Sequence, residues 1–107
     1  MEESLSVIAE VIEKYQTSGA ISADNLIVML RRLTIHNLKL AEFNVDYHND
    51  HNAILYNYDG SVARAKIEAD NKVPELRQTR KIMDAVDNVM WSMRSELSII
   101  KSENKNN

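Results

Sequence analysis

The sequence contains no cysteine, and it has only two glycines and one proline among 107 residues. Without cysteine the chain has no disulfide, no thiolate nucleophile, no iron–sulfur cluster and no cysteine-ligated zinc site. So few glycines and prolines leave too few turns for a sheet protein of this size, and the uninterrupted stretches are rich in good helix formers. A hydrophobic content of 44% argues against wholesale disorder. We therefore expect an all-α protein.

The sequence also lacks long apolar runs. None reaches the roughly 18 residues that a membrane-spanning helix needs, and the start, Met1-Glu2-Glu3-Ser4, is acidic where a secretory signal would be basic. We expect a cytoplasmic protein with no membrane partner. The net charge of −3 is unevenly distributed: residues 61–81 carry six basic and three acidic groups, whereas residues 1–60 carry four basic and nine acidic groups. Residues 61–81 are called the basic island below.

Apolar residues at helical spacing predict four helices. The first runs from about Glu2 to Gln16, and Gly19 is expected to end it in the left-handed conformation. Ser22 caps a second helix that begins at Ala23, and the sequence leaves open whether this helix is continuous to residue 58. A turn at Asp59-Gly60 precedes a short helix over Val62–Ala69. Pro74 either starts the last helix or kinks a continuous one, and we prefer a start.

Heptad spacing on the last helix predicts that it pairs with the second helix. Leu76, Met83, Met90 and Leu97 are seven residues apart, and Thr79, Val86, Met93 and Ile100 interleave with them. The fold we predict is a long antiparallel, coiled-coil-like helical hairpin, with a short N-terminal helix and a short helix in the connection. Residues 1–101 form a single helical domain and residues 102–107 a flexible polar tail. The packing face, which we also expect to make a homodimer or higher oligomer, comprises Leu30, Leu33, Leu40, Phe43, Tyr47, Leu76, Met83, Val86, Met90, Met93, Leu97 and Ile100.

Asn37 and Asn44 fall on or beside the apolar stripe of the second helix. A buried Asn at a helix-pairing seam costs stability but fixes the register and the number of partners. The alternative is that both side chains lie at the edge of the stripe and face water.

A resemblance covers roughly residues 40–103. The stretch from Asp59 to Lys66, the "VPELR" of Val73–Arg77, and "MWSMRSELSIIKSE" from Met90 to Glu103 resemble a loose group of small helical proteins of tailed bacteriophages. The ending that matches the group contains Arg94, Glu96, Leu97, Ser98 and Ile100. The group has no assigned activity and no catalytic residues to transfer. The resemblance implies a phage or prophage accessory protein that acts in the host cytoplasm, for example in replication, recombination or counter-defence.

Two histidines, His48 and His51, stand three apart in "DYHNDHN" and share a helix face. They are weak candidates for a metal site, because no second cluster completes a first coordination shell; the alternative is a solvated face or a polar interface. The sequence has no nucleophile elbow and no glycine-rich phosphate loop. We therefore expect neither an enzyme nor a cofactor.

The basic island supplies candidate phosphate contacts at Arg64, Lys66, Arg77, Arg80 and Lys81. The alternative, which we prefer, is that these cations pair with Asp84 and with the acidic first half of the chain, either within a helix or between subunits. Trp91 lies just off the heptad stripe and, if it is exposed, is the best single candidate anchor for a partner. The function we expect is a non-enzymatic, homo-oligomeric accessory protein that binds an unidentified protein partner. A nucleic-acid-binding factor in phage replication or recombination is the second hypothesis.

Overall fold

The computed structural model describes residues 1–106, and side chains over residues 1–104. All regular structure in this range is helical, and the order is α1 (Glu2–Thr17), α2 (Ala23–Asn57), α3 (Val62–Lys72) and α4 (Glu75–Asn106). Asn37 of α2 bonds Asp87, and Asn44, one heptad further along α2, bonds Thr79 earlier in α4. The pairing residues run in opposite directions, so α2 and α4 form an antiparallel hairpin. The all-α hairpin prediction is confirmed.

The helix starts follow the predicted capping residues. The Ser22 hydroxyl accepts a hydrogen bond from the amide of Asn25 at 3.2 Å, and the Ser61 hydroxyl accepts one from the amide of Arg64 at 3.3 Å. Each bond satisfies an amide that the first helical turn leaves without a partner. Pro74 immediately precedes α4, so the predicted break at this position is confirmed.

Three boundaries differ from the sequence-based expectation. Gly19 does not take the left-handed conformation, because α1 already ends at an extended Ser18 whose amide bonds the carbonyl of Lys14. The short helix α3 continues three residues beyond Ala69, to Lys72. The chain from 102 to 106 continues α4 as helix; the predicted flexibility of residues 102–107 remains a prediction, and residue 107 lies outside the described residues.

The core lies between α2 and α4 and is closed on one side by α1. Leu26, Leu33 and Leu40 of α2 have no exposed surface, and they pack with Val86, Met90 and Met93 of α4 and with Ile8 and Val11 of α1. Of the predicted packing face, the buried members are Leu33, Leu40, Leu76, Val86, Met90 and Met93, and the half-buried members are Leu30, Phe43, Tyr47, Met83, Leu97 and Ile100. Packing within one chain therefore covers this face.

The molecule is elongated, with principal extents of 67 × 25 × 20 Å. The 35 residues of α2 account for about 52 Å of this length at 1.5 Å per residue. The extensive helix–helix interfaces join α2 to α4, α2 to α1 and α2 to α3. Among the described residues, no helix is both long enough and apolar enough to cross a bilayer.

Candidate binding cleft

A cleft of about 800 Å³ opens between α3 and the first turns of α4. It exists because α3 packs on the end of α2 rather than on α4, so that the connector at Val73 and Pro74 holds the two helices apart. The side chains that surround it come from α2, α3, the connector and α4, and they are His51, Lys66, Ile67, Asp70, Asn71, Val73, Pro74, Leu76, Arg77, Gln78, Arg80 and Lys81. This surface is called the basic cleft below.

Four cations line the basic cleft. Arg77, Arg80 and Lys81 lie three and four residues apart, so they share one exposed face of α4, and Lys66 reaches the cleft from α3. Asp70 is the single carboxylate in the lining. Of the predicted phosphate contacts, the structure thus brings four together, whereas Arg64 lies exposed in the first turn of α3 and does not line the cleft.

These four cations have no carboxylate partner among the described side chains. Among the lysines and arginines of the basic island, the ion pair that the described side chains form is local: Lys72 pairs with Glu68 one turn earlier in α3, at 3.0 Å. Asp84, which the sequence offered as a partner, pairs with none of them. Among the described side chains, the four cations of the cleft therefore do not form the ion pairs within the chain that the alternative interpretation expects. The cationic field is left open to solvent and to an anionic ligand.

One hydrogen bond anchors the α3 wall of the cleft to α2. Nε2 of the buried His51 lies 2.8 Å from Oδ1 of Asp70, and the ring nitrogen donates because a carboxylate can only accept. This bond lowers the pKa of Asp70; desolvation opposes the shift, and the charges of His51, Arg77 and Lys66 lower the pKa further. Asp70 therefore stays ionised and keeps α3 docked on α2.

The two histidines of "DYHNDHN" have different surroundings. His51 is buried against α3, whereas His48 is exposed together with Asp46 and Asp50. The carboxylate beside His51 is Asp70, nineteen residues away, rather than a neighbour on the same helix. Within residues 1–106 no three histidine or carboxylate side chains form a group suited to a metal ion. The sequence does not reveal Asp70 as a partner, because the contact depends on how α3 folds back on α2.

Two further polar contacts fix α1. Nδ1 of His36 lies 3.0 Å from Oγ of the buried Ser4. The hydroxyl of Tyr15 donates to Oε1 of Glu96 on α4 at 2.8 Å. Burial, together with this bond and the nearby negative charge, raises the pKa of Tyr15 to about 12. These contacts join α1 to the hairpin and lie away from the basic cleft.

The surface also carries exposed apolar side chains that no described residue covers. Trp91 is 70% exposed on α4, and its contact with a partner stays a prediction. A second set was not anticipated: Val28, Ile35, Leu38 and Val45 are 53–62% exposed along α2. These four residues are called the outer α2 stripe below. The sequence does contain a pattern that indicates this stripe: a second heptad spacing in α2, which the charged residues Arg31 and Glu42 interrupt.

The fold and the cleft define an all-α helical-hairpin protein with a cationic cleft. Comparison with protein-family models, with curated proteins and with solved structures finds no match.

Proposed function

We propose that this protein is a small, non-enzymatic accessory protein that acts as a homo-oligomer by binding another protein. The basic cleft receives an acidic segment of that partner. The observation that carries the proposal is the set of four cations around one cleft, none of which forms an ion pair with a carboxylate among the described side chains. Charges held in this way favour an anionic ligand and accelerate its association.

The composition of the cleft favours a peptide over a nucleic acid. Ile67 is 61% exposed at the cleft, and Pro74 is exposed beside the cations; Val73 and Leu76 also line the cleft but are buried. A peptide that alternates apolar and acidic side chains satisfies both kinds of surface. Single-stranded nucleic acid binds most often through bases stacked on aromatic side chains, and no Phe, Tyr or Trp is among the residues that line the cleft.

The remaining parts of the proposal have separate support. The phage-type assignment is supported by the resemblance of residues 40–103 to accessory proteins of tailed phages. A cytoplasmic location, the host cytoplasm for a phage protein, fits the absence of cysteine. Trp91 is the candidate for a second contact with the partner, because a large exposed aromatic side chain is a common anchor in protein interfaces.

The second candidate is a nucleic-acid-binding accessory factor in phage replication or recombination. It is favoured by the alignment of Arg77, Arg80 and Lys81 on one face of α4, with Lys66 across the cleft. Such a strip can contact successive phosphates of a backbone without reading its sequence.

One binding experiment separates the two candidates. A labelled peptide of alternating glutamate and leucine, and a single-stranded DNA of the same charge, are titrated with the wild type at low and moderate salt. The charge-reversed variant Arg80→Glu/Lys81→Glu is compared with Arg94→Glu/Lys101→Glu, which makes the same change of net charge at exposed positions outside the cleft.

We expect the peptide to bind more tightly than the DNA, and the cleft variant to raise the peptide Kd by about tenfold or more while the control variant does not. Tighter binding of the DNA, with a steep loss of affinity as salt rises, would favour the nucleic-acid function instead. If neither ligand binds even at low salt, the cleft is not an anion-binding surface.

A further inference from the structure

We propose that the outer α2 stripe is the self-association surface of this protein, and that its occupant is α2 of a second copy packed antiparallel. This inference rests on the homo-oligomer named in the proposed function. It adds which surface the two copies share, the relative direction of their α2 helices and the register in which those helices pair. Packing within the chain already covers the heptad face between α2 and α4. Self-association therefore requires another surface, and among the described side chains the outer α2 stripe is the longest exposed apolar row on one helix.

The position of the stripe leaves room for a second helix. Leu26, Leu33 and Leu40 mark the side of α2 that faces the core. Val28 and Ile35, two residues beyond Leu26 and Leu33, lie on the far side of the helix, because two residues correspond to more than half a turn. The packed helices α1, α3 and α4 are on the core side. A groove of about 300 Å³ lies beside the stripe and is lined by Ile27, Leu30, Arg31, Thr34 and Ile35.

The spacing of the stripe is that of a helix-pairing seam. Val28, Ile35 and position 42 are seven residues apart, and so are position 31, Leu38 and Val45. In an antiparallel pair each residue of the first series faces one of the second. With the two-fold axis between residues 36 and 37, Val28 faces Val45 of the second copy and Ile35 faces Leu38. Every apolar member of the stripe then meets another apolar member, and Leu38 lies opposite the groove beside Ile35.

The charged positions of the same seam select the direction. In this register Arg31 faces Glu42 of the second copy, and the two-fold axis generates the same pair again. A parallel pair in register would instead place Arg31 against Arg31 and Glu42 against Glu42, which is destabilising. Both side chains are exposed, and neither forms an ion pair with any side chain that the structure describes. The next layer outward pairs Asp24 with Asn49, so the apolar seam ends in polar residues on both sides.

Charge reversal tests the pairing directly. The variants Arg31→Glu and Glu42→Arg are each examined by light scattering and sedimentation equilibrium. The double variant Arg31→Glu/Glu42→Arg and an equimolar mixture of the two single variants are examined in the same way. The control is Arg94→Glu, which makes the same charge change on α4. Far-UV circular dichroism verifies that each variant is folded; all three sites are exposed, so the hairpin core is not altered.

We expect the wild type and the control to be dimers, and each single variant to dimerise with a Kd raised at least about tenfold, which is 1.4 kcal/mol. The double variant regains the wild-type affinity, because it restores both ion pairs in reversed order. The mixture forms heterodimers, because the glutamate introduced at position 31 of one copy then faces the arginine introduced at position 42 of the other. Unchanged dimers in both single variants would overturn the proposed register.

Cysteine cross-linking tests the relative direction of the two α2 helices without relying on charge. The chain has no cysteine of its own, so every disulfide involves an introduced residue. In Val28→Cys/Val45→Cys, the two thiols of one copy are about 26 Å apart along α2, so they cannot join each other. The antiparallel register predicts disulfides between position 28 of one copy and position 45 of the other, identified by mass spectrometry of proteolytic peptides.

The experiments distinguish failure of the antiparallel pairing from failure of the proposed homo-oligomer and of partner binding. Links that join position 28 only to position 28 overturn the antiparallel pair and leave the proposed homo-oligomer intact. A wild type that remains monomeric at about 100 μM overturns both the interface and the homo-oligomeric part of the proposed function. Peptide binding at the basic cleft is measured separately, so its loss or survival decides the partner-binding part alone.

Discussion

Replacing Asn37 with leucine is expected to stabilise the hairpin, because one atom of the Asn37 amide is buried without a partner. Its nitrogen donates to Oδ1 of Asp87 at 3.1 Å, whereas its oxygen is buried and has no hydrogen-bond donor among the described residues. A buried acceptor left without a donor costs about 1–3 kcal/mol, and a hydrogen bond such as the exposed one to Asp87 returns about 0.5–1.5 kcal/mol. Leucine has the same branched shape and no polar atoms. The expected net effect of Asn37→Leu is a gain of about 1 kcal/mol in the free energy of unfolding.

The assay is urea unfolding followed by far-UV circular dichroism, with the free energy extrapolated to water. A gain of this size shifts the thermal midpoint by about 4 °C in a domain of this length. The measurement is repeated at several protein concentrations, because self-association makes the midpoint depend on concentration. The slope of free energy against urea is expected to stay constant, which shows that the exposed surface on unfolding has not changed.

Asn44→Leu is the matched control, since Asn44 occupies the same seam one heptad later. Its amide nitrogen donates to the carbonyl of Leu76 at 3.2 Å and to the hydroxyl of Thr79 at 2.7 Å. Leucine removes both bonds, so this variant is expected to lose about 1 kcal/mol. The reasoning is refuted if Asn37→Leu unfolds at lower urea than the wild type with an unchanged slope, or if the two variants shift stability by the same amount.

Three further perturbations follow from the contacts described above. Met93→Ala, at a fully buried side chain, is expected to cost about 2–5 kcal/mol in urea unfolding. Tyr15→Phe removes the bond to Glu96 and costs about 0.5–1.5 kcal/mol at neutral pH. Because the pKa of Tyr15 is raised from 10 to about 12, this advantage of the wild type is complete below pH 10 and disappears as pH rises through 12. The pKa of Asp70 is lowered from its ordinary value of 3.8, so ionised Asp70 stabilises the folded protein at pH values above 3.8, and this contribution is lost as the pH falls further. Asp70→Asn is therefore expected to lose less stability than the wild type as pH falls below 3.8.

Each of these has an outcome that contradicts it. A loss below about 1 kcal/mol for Met93→Ala would mean that the core collapses around the missing side chain. Tyr56→Phe, at a side chain that is 89% exposed, serves as the control for the alkaline experiment and is expected to follow the wild type. If Tyr15→Phe and the wild type lose stability in parallel between pH 10 and 12, the contact with Glu96 does not persist in solution. An unchanged acid profile for Asp70→Asn would show that the bond to His51 contributes no pH dependence.

The hairpin could be predicted because local signals and the heptad pattern agree. Ser22, Ser61 and Pro74 fix three helix starts, and each acts within one turn of its own position. The heptad of α4 predicts a helix-pairing seam, and its members Val86, Met90 and Met93 lie in one core cluster with Leu33 and Leu40 of α2. Information of this kind is contained in short stretches of chain.

Features that depend on the path of the chain between helices could not be predicted. The partner of His51 is Asp70, because α3 folds back on α2, and no spacing rule relates these two positions. Gly19 is not needed to end α1 in the left-handed conformation, because the backbone leaves the helix one residue earlier, at the extended Ser18. The outer α2 stripe could not be predicted because Arg31 and Glu42 interrupt its apolar pattern. The two charged residues can be placed on the same exposed face as the stripe only when the core side of α2 is known.

The three extensive interfaces of the fold all include α2, and this has a consequence for how the molecule opens. α3 can detach from the end of α2 without breaking the interface between α2 and α4, whereas the middle of α2 is released only when its interfaces with α4 and α1 are lost. Amide hydrogens near Leu33 and Leu40 should therefore exchange with solvent only through global unfolding, and those of α3 through a smaller local opening. Since α3 forms one wall of the basic cleft, the cleft can widen around a ligand at the cost of that local opening alone.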